Sequence, residues 1–294
     1  MSDFSIAGES RFITAPDGLR LHARLYEAPG EACPVLCLPG LTRTALDFDP
    51  LARALSEGRH GPPRRVAALD YRGRGGSDPD PAGRYDVMVE NGDVLAVAAA
   101  LDISEAVVVG TSRGGLHAMI LAASKPELLR GVVLNDVGPR LETQGLLRIR
   151  AYVGKLPTPQ TYAQAAAMMK EVAGAQFPGL DDQDWAFFAF TTFKPADKGL
   201  APRYDTRLAS ALEALDLTQP LPELWPQFEG LARVPVMALR GERSDLFSIA
   251  TLAEMASRHP RFASATVAGQ GHAPLLRDEE TIRLICESVA RWTA

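Results

Sequence analysis

Cysteine is scarce in this chain of 294 residues. There are three, Cys33, Cys37 and Cys286, an odd number without the paired spacing of a metal site. That excludes a disulfide framework and a cysteine-held zinc. Cys37 reads as a small buried hydrophobe in a strand, and a reducing, cytoplasmic setting is expected. Positive charge is not in excess either. The 31 Lys and Arg against 36 Asp and Glu give a net charge of −5, so nucleic acid is not an expected partner, because phosphate binding needs a basic footprint. No run of about 20 apolar residues occurs, so no transmembrane helix is expected. The longest, near Val94–Leu101, is short and alanine-rich. The opening Met1-Ser2-Asp3-Phe4-Ser5 lacks the basic and apolar succession of a secretory leader. Internal repeats and low-complexity tracts are also missing.

What is present is a globular composition, 46% hydrophobic, on a chain long enough for one large α/β domain or a domain with an insertion. Strands are predicted at Arg11–Thr14 and Leu19–Tyr26, joined by the turn Ala15-Pro16-Asp17-Gly18. Further strands are predicted at Pro34–Leu38, Arg65–Asp70, Ala106–Val109 and Gly131–Asn135, alternating with helices at Asp47–Leu55, Val87–Leu101 and Ser112–Ser124. This alternation predicts a mostly parallel sheet covered on both faces. From Pro139 to Phe228 the pattern breaks into proline-punctuated helical segments, near Gln144–Tyr152, Gln160–Val172, Asp181–Phe190 and Arg203–Leu215, with no convincing strand. Strand and helix then resume at Val234–Leu239, Ser248–Arg258, Ala263–Val267 and Asp278–Trp292. The reading is a core of residues 1–138 and 229–294 with a helical insertion at 139–228. That insertion holds 11 of the 20 aromatic residues, enough to build its own small core and to spare some for an apolar pocket.

The stretch Val107-Val108-Val109-Gly110-Thr111-Ser112-Arg113-Gly114-Gly115 carries the chemistry. A β-branched run ends at a glycine, a serine follows two residues on, and helix-forming residues come after two more glycines. Gly110 and Gly114 remove side chains that would clash in so sharp a turn. Ser112 is presented over a helix N-terminus, whose partial positive charge favours an anion. A serine hydroxyl needs a base. His272, in the glycine-rich loop Gly269-Gln270-Gly271-His272-Ala273-Pro274 after the last strand, should hang from the same sheet edge. His22, His60 and His259 read as surface or structural. His117, one turn beyond Ser112, reads as a packed or solvated helix residue. For the carboxylate that orients the imidazole, Asp245 in the loop after the Val236–Leu239 strand is the first choice, with Asp136 and Glu242 as competitors.

The serine segment resembles the G-x-S-x-G nucleophile elbow of the α/β-hydrolase family. The order Ser112, Asp245, His272 is that of the family, and Asp70-Tyr71-Arg72-Gly73-Arg74-Gly75-Gly76-Ser77-Asp78 is a second family-like motif, read as a turn bracing the site. The resemblance implies an eight-stranded, mostly parallel sheet flanked by helices, with a helical cap inserted after the sixth strand. It also implies an oxyanion hole made by the N–H groups of Leu41 and Arg113. Proline at position 39 replaces the histidine common in the family before the glycine. The Arg113 side chain is expected to face solvent or the cap, or, on a sharper reading, a substrate carboxylate. Arg43, Trp185 and Phe188 are candidate substrate contacts. The implied activity is a serine hydrolase of carboxylic esters, acting on a small apolar acyl substrate without metal or organic cofactor. Alternatives are a C–C bond hydrolase of vinylogous diketo acids, a lactonase, perhydrolase or acyltransferase with the same triad, and a non-catalytic binding protein of this fold.

Overall fold

A computed structural model describes residues 4–294. An eight-stranded sheet runs through the core: β1 (Glu9–Thr14), β2 (Arg20–Tyr26), β3 (Val35–Leu38), β4 (Val66–Asp70), β5 (Ala106–Thr111), β6 (Leu129–Asn135), then β9 (Val236–Gly241) and β10 (Phe262–Val267). Their order across the sheet is β1-β2-β4-β3-β5-β6-β9-β10. Only β2 runs against its neighbours, pairing antiparallel with β1 and β4. The central strands are largely apolar because both faces are covered. Leu36, Leu38 and Val108 enter one core, while Val35, Cys37, Val107 and Val109 enter the other. Fully burying such a side chain stabilises by about 1.5–3 kcal/mol.

Helices α1 (Asp49–Ser56), α2 (Val87–Ala100), α3 (Arg113–Ser124), α9 (Ile249–Arg258) and α10 (Glu279–Trp292) cover the two faces. Two of them, α2 and α10, start at a capping aspartate. Asp86 accepts hydrogen bonds from the amides of Met88 and Val89, and Asp278 from that of Thr281.

Between β6 and β9 lie α4 (Thr143–Tyr152), α5 (Tyr162–Ala173), α6 (Asp182–Thr192), α7 (Leu208–Glu213) and α8 (Trp225–Glu229). The expectation of no strand in this insertion is corrected by a small antiparallel hairpin, β7 (Phe193–Pro195) with β8 (Leu200–Pro202). Pro195 and Pro202 sit at its ends, where a proline removes no interior ladder bond. The helix expected over Arg203–Leu215 shortens to α7, because Arg203–Asp205 is spent on the core. Gly75 N–H donates to Arg203 C=O at 2.7 Å, and Asp205 N–H donates to Gly73 C=O at 2.7 Å. Aromatics of the insertion pack together, Phe177, Trp185 and Phe193 being buried with Ala165 and Met169.

Candidate active site

Ser112 sits at the turn between β5 and α3 with φ 51° and ψ −112°, a conformation costly for a residue with a Cβ. Close packing holds it there. A Cβ on Gly114 would lie 2.0 Å from the Leu38 carbonyl oxygen, and one on Gly110 would lie 2.5 Å from the Gly114 backbone. Strand and helix therefore approach only because both positions are glycine. The Ser112 amide donates to Asn135 C=O at 2.9 Å, fastening the turn to β6.

His272 reaches the serine from the loop between β10 and α10. Its Nε2 lies 2.9 Å from Ser112 Oγ. Asn135 supports that loop by donating from Nδ2 to the Pro274 carbonyl at 2.9 Å. The other imidazole nitrogen, Nδ1, is 2.8 Å from Asp136 Oδ2. An imidazole so held can take a proton from the hydroxyl and keep one on Nδ1 for the carboxylate.

The carboxylate beside His272 is thus Asp136, and the first choice made from sequence is corrected. The register explains why. Thr111 on β5 stands level with Asn135 on β6, and Asn135 with Leu239 on β9. Ser112 and Asp136 are each the next residue beyond that line, whereas Asp245 comes four residues after β9 has ended. Asp136 has φ 56°, a backbone state that aspartate adopts more readily than most residues. Its carboxylate also accepts from the Gly241 amide at 2.7 Å and the Ser244 hydroxyl at 2.6 Å. Asp245 instead takes both Nε and Nη2 of Arg148, at 2.6 and 2.8 Å. Burial alone would raise its pKa, but Arg148 outweighs that and holds the carboxyl below the usual range. Glu242 caps the Gly269 amide at 2.8 Å. Gln176, which had no signal in the sequence, spans the two acids' surroundings. It accepts from the His272 amide and donates to Asp245, each at 3.4 Å.

The loop after β3 flanks the serine, for a Cβ on Gly40 would lie 3.8 Å from Ser112 Cβ. Among the described residues the amides of Leu41 and Arg113 donate to no backbone or side-chain group. The Arg113 side chain is largely buried and does not line the cavity over Ser112. Its Nε donates to Glu90 at 2.5 Å and its Nη2 to the Tyr85 carbonyl at 2.7 Å. Arg43 and Phe188 line the cavity over Ser112 and His272, together with Leu41, Tyr152, Phe187 and Leu276. The guanidinium of Arg43 is already committed, to Asp47 and to the hydroxyls of Thr191 and Thr192. Trp185 lies one layer behind the cavity, stacked 6.0 Å from Phe188 and buried in the core of the insertion.

His117 is fully buried against Tyr71, and burial pushes its pKa down, towards the neutral imidazole. His22 forms a second Ser–His–Asp line, to Ser10 at 3.0 Å and Asp70 at 2.7 Å. Its serine sits on the exposed edge strand β1, and Asp70 also ties down the Ala45 and Gly76 amides, at 2.7 and 3.0 Å. That line is part of the turn scaffold. Among the described residues no group of three or more His, Cys, Asp or Glu side chains is placed to hold a metal ion.

The model of the Alpha/beta hydrolase family matches residues 35–284, most of the chain. The chain belongs to the alpha/beta hydrolase family. This hydrolase is 33% identical over 281 residues to the 3-hydroxybutyrate-oligomer hydrolase of Cupriavidus necator, covering 92% of the chain and 93% of that relative. It is 29% identical to the 2-(acetamidomethylene)succinate hydrolase of Mesorhizobium japonicum, over 81% of each protein. Its fold matches the crystal structure of an alpha/beta hydrolase from Novosphingobium aromaticivorans with a TM-score of 0.89 and 40% identity, covering 98% of this chain and all of that one. No helix among the described residues is long and apolar enough to cross a membrane.

Proposed function

We propose that this hydrolase cleaves carboxylic esters by acyl transfer to Ser112, with His272 as base and Asp136 as its orienting acid. The observation that carries the reading is the unbroken line of hydrogen bonds, 2.9 Å from Ser112 Oγ to His272 and 2.8 Å from His272 to Asp136. Attack of Oγ on the ester carbonyl moves the hydroxyl proton to Nε2. The negative charge then collects on the former carbonyl oxygen. The amides of Leu41 and Arg113, with the N-terminus of α3 behind them, receive it. The imidazolium, steadied by Asp136, gives its proton to the departing alcohol, and water repeats the sequence on the acyl-enzyme.

Residues 139–228 act as a cap that brings Tyr152, Phe187 and Phe188 over the serine. The apolar wall suits a short acyl chain, and the hydroxyls of Thr42 and Tyr152 on the same lining suit a second oxygen function on it. Esters of short hydroxy acids combine the two, and the Cupriavidus necator relative is named for hydrolysing such an oligomer. The Mesorhizobium japonicum relative favours a second reading, the same nucleophile acting on an acid that is not an ester of this kind.

The test is hydrolysis of p-nitrophenyl esters from acetate to dodecanoate, and of 3-hydroxybutyrate oligomers, by the wild type and Ser112→Ala. The expected result is turnover with an optimum at short chains that falls at least about 10³-fold in the variant. A folded wild type inert on every ester would overturn ester hydrolysis. Turnover that survives the substitution would overturn the serine mechanism.

A further inference from the structure

We propose that Glu90 is a positioning residue that couples the two residues whose amides form the oxyanion site, Leu41 through Arg74 on one side and Arg113 directly on the other. The proposal rests on the assignment of the Leu41 and Arg113 amides made above.

Glu90 lies in the first turn of α2, outside the cavity, and is fully buried. Each of its carboxylate oxygens serves one arginine. Oε1 accepts from Arg74 Nη1 at 2.5 Å and Oε2 from Arg113 Nε at 2.5 Å. Arg74 continues from there to the serine-flanking loop, donating from Nε to the Leu41 carbonyl at 2.8 Å. That bond pins the peptide following Leu41. The peptide that carries the Leu41 N–H is pinned by the turn bond from the Arg43 amide to the Gly40 carbonyl, 3.1 Å. On the other side, Arg113 is the residue whose own N–H opens α3. Its side chain is anchored twice, to Glu90 and to the Tyr85 carbonyl at 2.7 Å. Two donors that come from different elements are thereby referred to one carboxylate.

Stability alone does not account for this arrangement. Buried ion trios are often no more stabilising than apolar side chains of similar volume. Arg74 is itself fully buried, His117 lies 3.4 Å from Glu90 without hydrogen-bond geometry, and Tyr71 and Tyr85 close the surroundings. One carboxylate between two guanidiniums leaves a net positive charge beside the start of α3. That is the sign that a developing oxyanion needs. An oxyanion site works by being rigid before the charge appears, so a brace on the two residues that supply its donors should act on kcat rather than on ground-state binding.

The test uses Glu90→Gln, Arg113→Met and Arg113→Lys in the full chain, with Ser112→Ala in parallel. For each, kcat and KM are measured on the best p-nitrophenyl ester. Melting temperature and the rate of inactivation by a p-nitrophenyl alkylphosphonate are measured beside them. The phosphonate loses p-nitrophenolate to Ser112 Oγ and leaves a tetrahedral, anionic adduct. In Glu90→Gln and Arg113→Met, kcat should fall about 10- to 100-fold with KM within about twofold, and phosphonylation should slow in step, a partial loss of what one donor is worth. Arg113→Lys keeps a cation for Glu90 and should recover most of the rate. The proposal is overturned if Glu90→Gln and Arg113→Met keep kcat within about threefold. It is also overturned if their losses follow the unfolded fraction alone, or if phosphonylation stays at the wild-type rate. Arg113→Met keeps the question open to measurement should Glu90→Gln fail to fold. If Ser112→Ala retains turnover, the serine reading falls and takes the coupling with it. A dead Ser112→Ala beside a fully active Glu90→Gln removes the coupling alone.

Discussion

Asp136 and Asp245 follow neighbouring strands, yet only one meets His272. The difference is where each strand stops. Asp136 is the first residue past β6 and is pointed by its left-handed backbone, while Asp245 is carried past the site to Arg148 on α4. Asp136→Asn should therefore lower kcat by about 10³- to 10⁴-fold, because the imidazole loses the acceptor that sets its tautomer. Asp245→Asn should change kcat by no more than about threefold, since a partly exposed ion pair contributes little. Kinetics of the two variants on one ester decide the matter, and the reverse ranking would return the role to Asp245. Both residues were visible in the sequence as acids in loops after strands. Family order pointed to Asp245, and the register that favours Asp136 is a property of the assembled sheet. Ser112 and His272 were legible because their local signals are strong, a glycine-flanked turn and a glycine-rich loop. The Arg113 side chain was not, because its partner Glu90 is 23 residues away in sequence.

At the scale of elements, the strand-to-helix elbow depends on two missing side chains. Gly114→Ala would push a methyl group to 2.0 Å from the Leu38 carbonyl oxygen, and no side-chain rotation can relieve a backbone clash. The expected cost is about 3 kcal/mol or more, read as a lowered denaturant midpoint at unchanged slope. A midpoint equal to that of the wild type would mean that β3 and α3 are not in contact as described. The helical insertion illustrates the opposite case. Its helices were legible from composition and proline spacing, but the β7–β8 hairpin was not. A three-residue strand carries too little alternation to register, and its stability comes from packing on α5 and α6. The shortening of α7 has the same origin, for the residues before it pair with the turn at Gly73–Gly75.

Across the whole molecule, the buried ion network makes folding sensitive to acid. Burial by itself would raise the pKa of Glu90, but the guanidiniums of Arg74 and Arg113 outweigh it and bring the value to about 2, against an ordinary 4.5. A carboxyl with its folded value below its unfolded one stabilises fully above the unfolded value. That contribution fades as pH falls towards the folded one. Unfolding free energy measured from about pH 5 to about pH 2.5 should thus fall more steeply in the wild type than in Glu90→Gln. Parallel slopes would show that Glu90 carries no such linkage. The sequence by itself determined the parallel sheet, the covering helices, the serine turn and the histidine that meets it, because each is written in local periodicity or in glycines a few residues apart. The tertiary structure decided which acid faces the histidine, where the arginines beside the serine point, and which aromatics reach the cavity. Those depend on strand register and on contacts between residues far apart in the chain, which no local pattern contains.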